Sequence, residues 1–220
     1  MPVTLARLGL VILGGVLGLA LSLLGLQASQ DNLLGWVELF IGVGYLAGGA
    51  LYLSHPGWQK SARLAEQGIS SFVAIAPGFL AVFFTPPIEY IYLPSVIPHK
   101  DSLEIAGLGL ILAALLLRVW TRLALRGQYN GRLQIQPDHR LVTSGPYRYM
   151  RHPGYAGFVL MALGLATCFS SLGGLIVIPL LLIPGLAYRM RVEERLLIEQ
   201  FGDAYRKYAT HTRRLFPGIW

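Results

Sequence analysis

The sequence predicts an all-α fold: a polytopic membrane helical bundle of four spans plus a C-terminal helical hairpin, with a polar region facing the cytoplasm. Three observations carry this reading. Hydrophobic residues make up 54% of the chain and charged residues 13%, about half the charged share of a soluble domain. Several apolar runs reach the length of about 20 residues that a spanning helix needs. The charge is also polarised: from Arg118 onward 14 Lys/Arg stand against 5 Asp/Glu, whereas before Arg118 the balance is 4 against 6. A basic chain invites a nucleic-acid reading. Here the charge borders apolar spans, so the topology rule and anionic headgroups account for it, and no nucleic-acid partner is expected.

The first span runs from about Leu5 to Leu26. Arg7 ahead of an apolar run imitates a signal peptide. The run is longer than an ordinary signal core and further spans follow, so it is expected to be retained as a helix. Gly14 and Gly18 lie one turn apart, a spacing that lets a second helix approach closely. Asp31 or Asn32 is placed to cap the second span, which runs from about Leu33 to Ser54. Glu38 falls near the start of that span, where the helix dipole favours a carboxylate.

The third span reads from about Ile69 to Leu93. Pro77 is expected to kink it, and Pro86-Pro87 to break or bend its far end. Glu89, Tyr90 and Tyr92 then fall at an interface, as in an aromatic belt. The fourth span covers about Ser102 to Leu125. Arg118, Arg122 and Arg126 recur every four residues on one helical face. They are expected to snorkel to the headgroups, the alternative being that Arg118 reaches a ligand from inside the bundle.

Two apolar runs, Tyr155 to Phe169 and Leu172 to Tyr188, meet at Ser170-Ser171 and predict a tight hairpin. Pro179 and Pro184 interrupt the second run. An amphipathic helix is expected from Arg189 to about Tyr208. Residues 1–125 thus form the four helices, and residues 126–220 the polar loop, hairpin and tail, as one bundle rather than independent domains. Lys/Arg placement puts the loop with Lys60 and Arg63, residues 126–151 and the tail from Arg189 on the cytoplasmic side.

Metal and thiol chemistry are not expected. The single cysteine, Cys168, lies in an apolar run and reads as a small buried hydrophobe. The five histidines show no metal-ligand spacing.

The chemistry concentrates in two polar segments. In the first, Thr143-Ser144-Gly145-Pro146 is turn chemistry with open backbone donors. Tyr147, Tyr149 and Tyr155 add aromatic faces with polar tips. Arg148 and Arg151 add fixed charge, and His152 can donate or accept. Pro153 suits the first turn of a helix, and Gly154 and Gly157 let a bulky ligand lie against backbone. A planar, polar ligand at a helix start fits this set, and so does a basic loop that only anchors the bundle. In the second segment Arg189 and Glu193 stand four apart and share a helix face. The plainer reading there is a solvated helix laced with i,i+4 ion pairs.

A resemblance weighs on this choice. His139, Leu141, Val142, Ser144, Gly145, Tyr147, Arg151, His152, Pro153, Tyr155 and Gly157 form one motif. Glu193, Glu194, Leu197, Phe201, Gly202, Tyr205 and Tyr208 form a second beyond the hairpin, with Arg213 or Arg214 and Pro217 in the tail. Over about Gln134 to Pro217 the chain is similar to the isoprenylcysteine carboxyl methyltransferase family of integral membrane, S-adenosylmethionine-dependent methyltransferases. The resemblance implies that the polar cytoplasmic region is a cofactor-binding region. It places S-adenosylmethionine against Gln136, His139, Arg140, Leu141, Val142, Tyr147, His152, Pro153, Gly154, Tyr155 and Glu193. Gln134 is the other candidate for the glutamine. Arg189 would face the methyl acceptor, so that Arg189 and Glu193 form the catalytic pair.

The implied partners are the bilayer and a lipophilic or lipidated substrate, foremost a prenylcysteine-like carboxylate. Phospholipid N-methylation and small-thiol S-methylation stay open, because the motifs lie on the cofactor side. A nicotinamide-dependent membrane reductase and a non-enzymatic transporter or scaffold are the readings from other classes. A third span kinked at its prolines is expected to wall a lipid-facing portal.

Overall fold

The structure, a computed structural model, describes residues 62–125 and 141–216, with side chains in the first helix from Ala74 onward. The first two expected spans, with Gly14, Gly18, Asp31 and Glu38, lie outside the described residues. So do Gln134, Gln136, His139 and Arg140.

The described residues are helical, with no strand among them. They form α1 (Ala62–Tyr92), α2 (Asp101–Leu125), a short 3₁₀ turn (Gly145–Arg148), α3 (Pro153–Cys168), α4 (Leu172–Phe201) and α5 (Asp203–His211). Three segments are long and apolar enough to cross a bilayer: Ala74–Tyr92, Asp101–Leu125 and Leu172–Phe201. Between the last two, α3 is apolar and 16 residues long, or about 24 Å at 1.5 Å per residue.

The prolines do not end the helices that hold them. Residues Pro77, Pro86 and Pro87 lie inside α1, which continues to Tyr92. Each proline removes one amide donor, and neighbouring helices compensate by packing. Pro86 and Pro87 are fully buried, with Pro86 against Gly174. In α4, Pro179 sits in a π-helical turn, Ile178–Leu182, and Pro184 follows at the start of the next α-helical stretch. A wider turn of this kind absorbs an interrupted ladder without ending the helix. The second run of the hairpin is therefore continuous.

Two close crossings assemble the bundle. A Cβ on Gly107 of α2 would stand 2.5 Å from Cys168 Sγ, and one on Gly164 of α3 would stand 2.7 Å from Ile111 Cγ1. Small residues here let the two backbones approach, so that van der Waals contact replaces a hydrophobic driving force that lipid cannot supply. A Cβ on Gly78 of α1 would meet the Leu182 backbone at 2.7 Å, and one on Gly185 the Ala74 carbonyl at 2.7 Å. Leu165, Phe169, Leu182, Leu186 and Met190 fill the core between these pairs. Outside it, Ile105, Leu112, Leu116, Val119 and Leu123 leave a stripe of α2 exposed at helical spacing, as a lipid-facing surface does. Phe79 of α1 meets Phe158 of α3 edge-on at 4.7 Å, so the proline-bearing helix does stand beside the hairpin.

These crossings are antiparallel. They bring the end of α2, the start of α3 and the polar end of α4 to one side. The α1–α2 loop and the hairpin turn lie on the other.

One expectation needs correction and two gain detail. The amphipathic helix does not begin at Arg189: α4 runs on to Phe201, Gly202 takes φ 54°, and α5 is a separate helix. A backbone at that φ suits glycine, which has no Cβ to clash. Glu89 lies at the end of α1 beside the hairpin turn and does more than face an interface. Its carboxylate accepts from Ser171 Oγ at 2.6 Å, Gly173 N at 2.9 Å and Leu172 N at 3.2 Å, capping the start of α4 from α1. Ser171 adds its own cap by accepting from Gly174 N at 2.8 Å. Such an end otherwise leaves four amides without helical partners. Arg118 does not simply snorkel: its guanidinium lies 4.3 Å from the centroid of Phe158, between α2 and α3. Arg122, one turn on, is exposed.

Candidate active site

The segment around His152 and the segment around Glu193 meet on the side of the bundle where α3 starts and the polar part of α4 ends. The local sequence explains how each is presented. Gly145 takes φ 63° and opens the 3₁₀ turn Gly145–Arg148, with Pro146 buried beneath it. Pro153 then occupies the first position of α3, where a missing amide has no consequence. His152, immediately before it, is held at the helix mouth and is 5% exposed.

Arg189 and Glu193, one turn apart on α4, both reach Tyr155 of α3. Arg189 Nε donates to the Tyr155 hydroxyl at 2.8 Å, and that hydroxyl donates to Glu193 Oε2 at 2.9 Å. The His152 and Tyr155 rings stack at 5.5 Å, and His152 Nδ1 lies 3.7 Å from Glu193 Oε2. Arg189 is buried, whereas the Glu193 side chain keeps 31% of its exposure. The cluster thus shows one partly exposed carboxylate, one buried guanidinium and an aromatic wall. Gly154 stands next to them with nothing within 4 Å of where a Cβ would be.

Behind this face lies a second set of contacts. Glu194 Oε1 accepts from Arg151 Nε at 2.8 Å and lies 3.3 Å from His152 Nε2. Glu194 Oε2 accepts from Arg214 Nη2 at 2.8 Å. The hydrogen bond to Glu194 holds the Arg214 guanidinium above its ordinary range. Arg151 Nη1 donates to the carbonyls of Ala209, at 2.8 Å, and Thr212, at the end of α5. Backbone completes the junction: Arg151 N donates to Arg213 O at 2.7 Å, His152 N to Arg214 O at 2.9 Å, and Tyr208 Oη to the Tyr147 carbonyl at 2.7 Å. Burial pushes the Tyr208 phenol up to about 12 and raises that of Tyr205 as well.

Of the expected site residues, the structure brings together His152, Pro153, Gly154, Tyr155, Arg189 and Glu193. Tyr147 is tied to the same junction through its carbonyl, and Leu141 and Val142 are half-buried just ahead of the 3₁₀ turn. The polar end of α4 is not laced by i,i+4 pairs. Glu194 takes partners 43 and 20 residues away. Arg151, Glu194 and Arg214 were part of the recognised motifs but had no place among the site residues. The signal was a buried-charge problem: three ionisable groups in motifs that border apolar surface must find one another.

Residues 107–199 match the model of the isoprenylcysteine carboxyl methyltransferase family. The match covers less than half of the chain. Among curated relatives, the protein-S-isoprenylcysteine O-methyltransferase of Schizosaccharomyces pombe is 39% identical over 71 residues, covering 32% of this chain and 30% of the relative. A probable protein-S-isoprenylcysteine O-methyltransferase of Oryza sativa subsp. indica is 34% identical over 88 residues, covering 40% and 46%. An uncharacterized protein of Bacillus subtilis, YpbQ, is 28% identical over 118 residues, covering 54% and 69%. The chain spans less than half the length of the two methyltransferase relatives. The family match contains His152, Tyr155, Arg189, Glu193 and Glu194, so the cluster falls within the shared region.

Proposed function

We propose that this chain transfers a methyl group from S-adenosylmethionine to a lipophilic acceptor at the membrane, and that the acceptor is the carboxylate of a prenylcysteine-like substrate. The observation that carries the reading is the relay from Arg189 through Tyr155 to Glu193, beside His152. It sets a guanidinium and a carboxylate on one face with a fixed spacing, inside the region shared with the family.

The donor set fits the cofactor. An ammonium and a sulfonium call for an acceptor and an apolar or aromatic wall, and a carboxylate calls for donors. Glu193, partly exposed and oriented by Tyr155, would take the ammonium. The stacked His152 and Tyr155 rings offer the wall, and Gly154 lets a bulky group approach backbone. Leu141, Val142, Tyr147 and Pro153 would line the remainder, with Gln136, His139 and Arg140 ahead of them. When bound, the cofactor supplies a methyl group already activated by its sulfonium.

The chain's own work is then orientation. A carboxylate acceptor is ionised at neutral pH and needs no general base. Arg189 would hold it bidentately, leaving an oxygen lone pair aimed at the methyl carbon. Holding reactants at near-contact geometry is worth up to about 7–11 kcal/mol of barrier. Burial of Arg189 strengthens that grip by excluding water.

The bilayer matters to the acceptor. Keeping a prenyl chain in lipid avoids about 0.8 kcal/mol for each CH₂ exposed to water. We take the side that bears His152, Arg189 and Arg214 as cytoplasmic, from the excess of Lys/Arg there. The proline-bearing α1 beside the hairpin is positioned to wall a lateral entry.

The test is a methyl-transfer assay in lipid with labelled cofactor and a panel of prenylcysteine analogues, phosphatidylethanolamine and small thiols. The expected product is a base-labile methyl ester on prenylcysteine, lost in Arg189→Ala. Label appearing on amine or thiol instead would replace the acceptor. Oxidation of a nicotinamide cofactor with no methyl transfer would overturn the reading.

A further inference from the structure

Glu193 and Glu194 are consecutive but do different things. Neighbours on a helix point about 100° apart, and here they stand on either side of the His152 ring. Glu193 Oε2 lies 3.7 Å from Nδ1, and Glu194 Oε1 lies 3.3 Å from Nε2. Glu193 keeps an exposed fraction of 31%, whereas Glu194 keeps 12%.

A carboxylate has two oxygens and about four lone-pair sites. Those of Glu194 are occupied by protein. Oε1 receives Arg151 Nε, His152 Nε2 and Arg214 Nε, and Oε2 receives Arg214 Nε and Nη2. Glu194 therefore has no capacity left for a ligand. What it controls is the ring beside it. A hydrogen on Nε2 directed at Glu194 fixes the imidazole plane, and so presents Nδ1 to Glu193 and the stacking face to Tyr155.

The partners of Glu194 come from both sides of the hairpin. Arg151 arrives from the loop before α3 and Arg214 from the tail after α5. The backbones of the same two segments are bonded in parallel, Arg151 and His152 amides to Arg213 and Arg214 carbonyls. Arg151 also closes the end of α5 through Ala209 and Thr212, where a cation complements the helix dipole. The tail thus reaches His152 through one carboxylate.

We propose that Glu194, clamped between Arg151 and Arg214, is a positioning residue that sets the orientation of His152, and that the C-terminal tail is thereby a required part of the methyl-transfer site. This rests on the methyltransferase reading. It assigns to Arg214, which bonds Glu194, a role in cofactor affinity.

The test measures binding of S-adenosylhomocysteine by titration calorimetry to the full chain in lipid nanodiscs, together with thermal unfolding. The variants are Glu194→Gln, Arg214→Ala, Arg214→Lys and Arg206→Ala. Arg206→Ala removes a cation from α5, just ahead of the tail, and among the described residues its ion pair is with Asp203, 95% exposed. Expected are a loss of affinity of about tenfold to a hundredfold for Arg214→Ala and Glu194→Gln, the size of losing a hydrogen bond between a charged group and the ligand, recovery of at least half of that loss on a logarithmic scale in Arg214→Lys, and wild-type binding in Arg206→Ala. Affinity unchanged in a folded Arg214→Ala overturns the clamp and leaves the methyltransferase reading intact. Equal losses in Arg214→Ala and Arg206→Ala also overturn it, since the tail's net charge would then be the cause. If Glu194→Gln does not fold, Arg214→Lys and Arg214→Ala decide the matter. A wild-type chain that binds no S-adenosylhomocysteine removes both readings together.

Discussion

Arg151 Nε donates to Glu194 Oε1 at 2.8 Å, joining two residues 43 positions apart across the whole helical hairpin. The contact is largely shielded, with 12% of each side chain exposed. Shielding decides its weight. An exposed pair contributes little, whereas removing one partner of a buried pair costs about 3–5 kcal/mol because the other charge is left without compensation. Arg151→Ala should therefore lower thermal stability markedly in detergent, since Ala209 and Thr212 lose their donor as well. The exposed pair Arg206–Asp203 supplies the contrast, and Arg206→Ala should leave the transition within about 0.5 kcal/mol of wild type.

Tyr155→Phe separates orientation from packing. The ring and its stack with His152 remain, but the hydroxyl between Arg189 and Glu193 is gone. The lost hydrogen bonds should cost about 1–3 kcal/mol of stability. Methyl transfer should fall by about tenfold or more, seen chiefly in kcat, because two binding groups lose their common reference. An unchanged kcat would show that Arg189 and Glu193 hold their places without it.

Glu89→Ala tests the opposite end of the bundle. It removes the carboxylate that caps α4 at Leu172 and Gly173. Loss of a cap costs about 0.5–2 kcal/mol. Thermal unfolding should drop by that amount while S-adenosylhomocysteine affinity stays at the wild-type value, because Glu89 lies at the hairpin turn and the proposed cofactor face at the other end of α3.

Gly107→Val should be harsher than either. Its Cβ would fall 2.5 Å from Cys168 Sγ and 2.6 Å from the Cys168 amide, so α2 and α3 must part. A loss of several kcal/mol, or failure to recover folded protein after size-exclusion chromatography, is expected, since overpacking alone costs about 1–3 kcal/mol. Gly109→Val, with nothing within 4 Å of its Cβ, should behave as wild type.

Much of this was legible in the sequence. The third and fourth spans, the hairpin turning at Ser170-Ser171, the helix start at Pro153 and the shared helix face of Arg189 and Glu193 all follow from apolar run length, proline position and i,i+4 spacing. The tertiary compensation was not legible. Pro86-Pro87 and Pro179 look like breaks when read locally, because a single strand of sequence does not show the neighbour that packs against the interrupted turn. The capping role of Glu89 was hidden because its partners lie more than 80 residues ahead. The clamp on Glu194 was hidden for the same reason: a carboxylate beside an apolar ridge announces that it needs partners, but not that they come from Arg151 and Arg214. Gly202 was the missed local signal, since a glycine after Phe201 is a common helix stop.

The account stands most directly on whether Glu193 and His152 hold the cofactor. Titration of S-adenosylhomocysteine into the wild-type chain and into Glu193→Gln and His152→Ala, in lipid nanodiscs, measures this. The account predicts saturable binding at one site per chain, weakened by about tenfold or more in each variant while both remain folded. Wild-type affinity retained in both variants, or no binding to the wild-type chain, would contradict it.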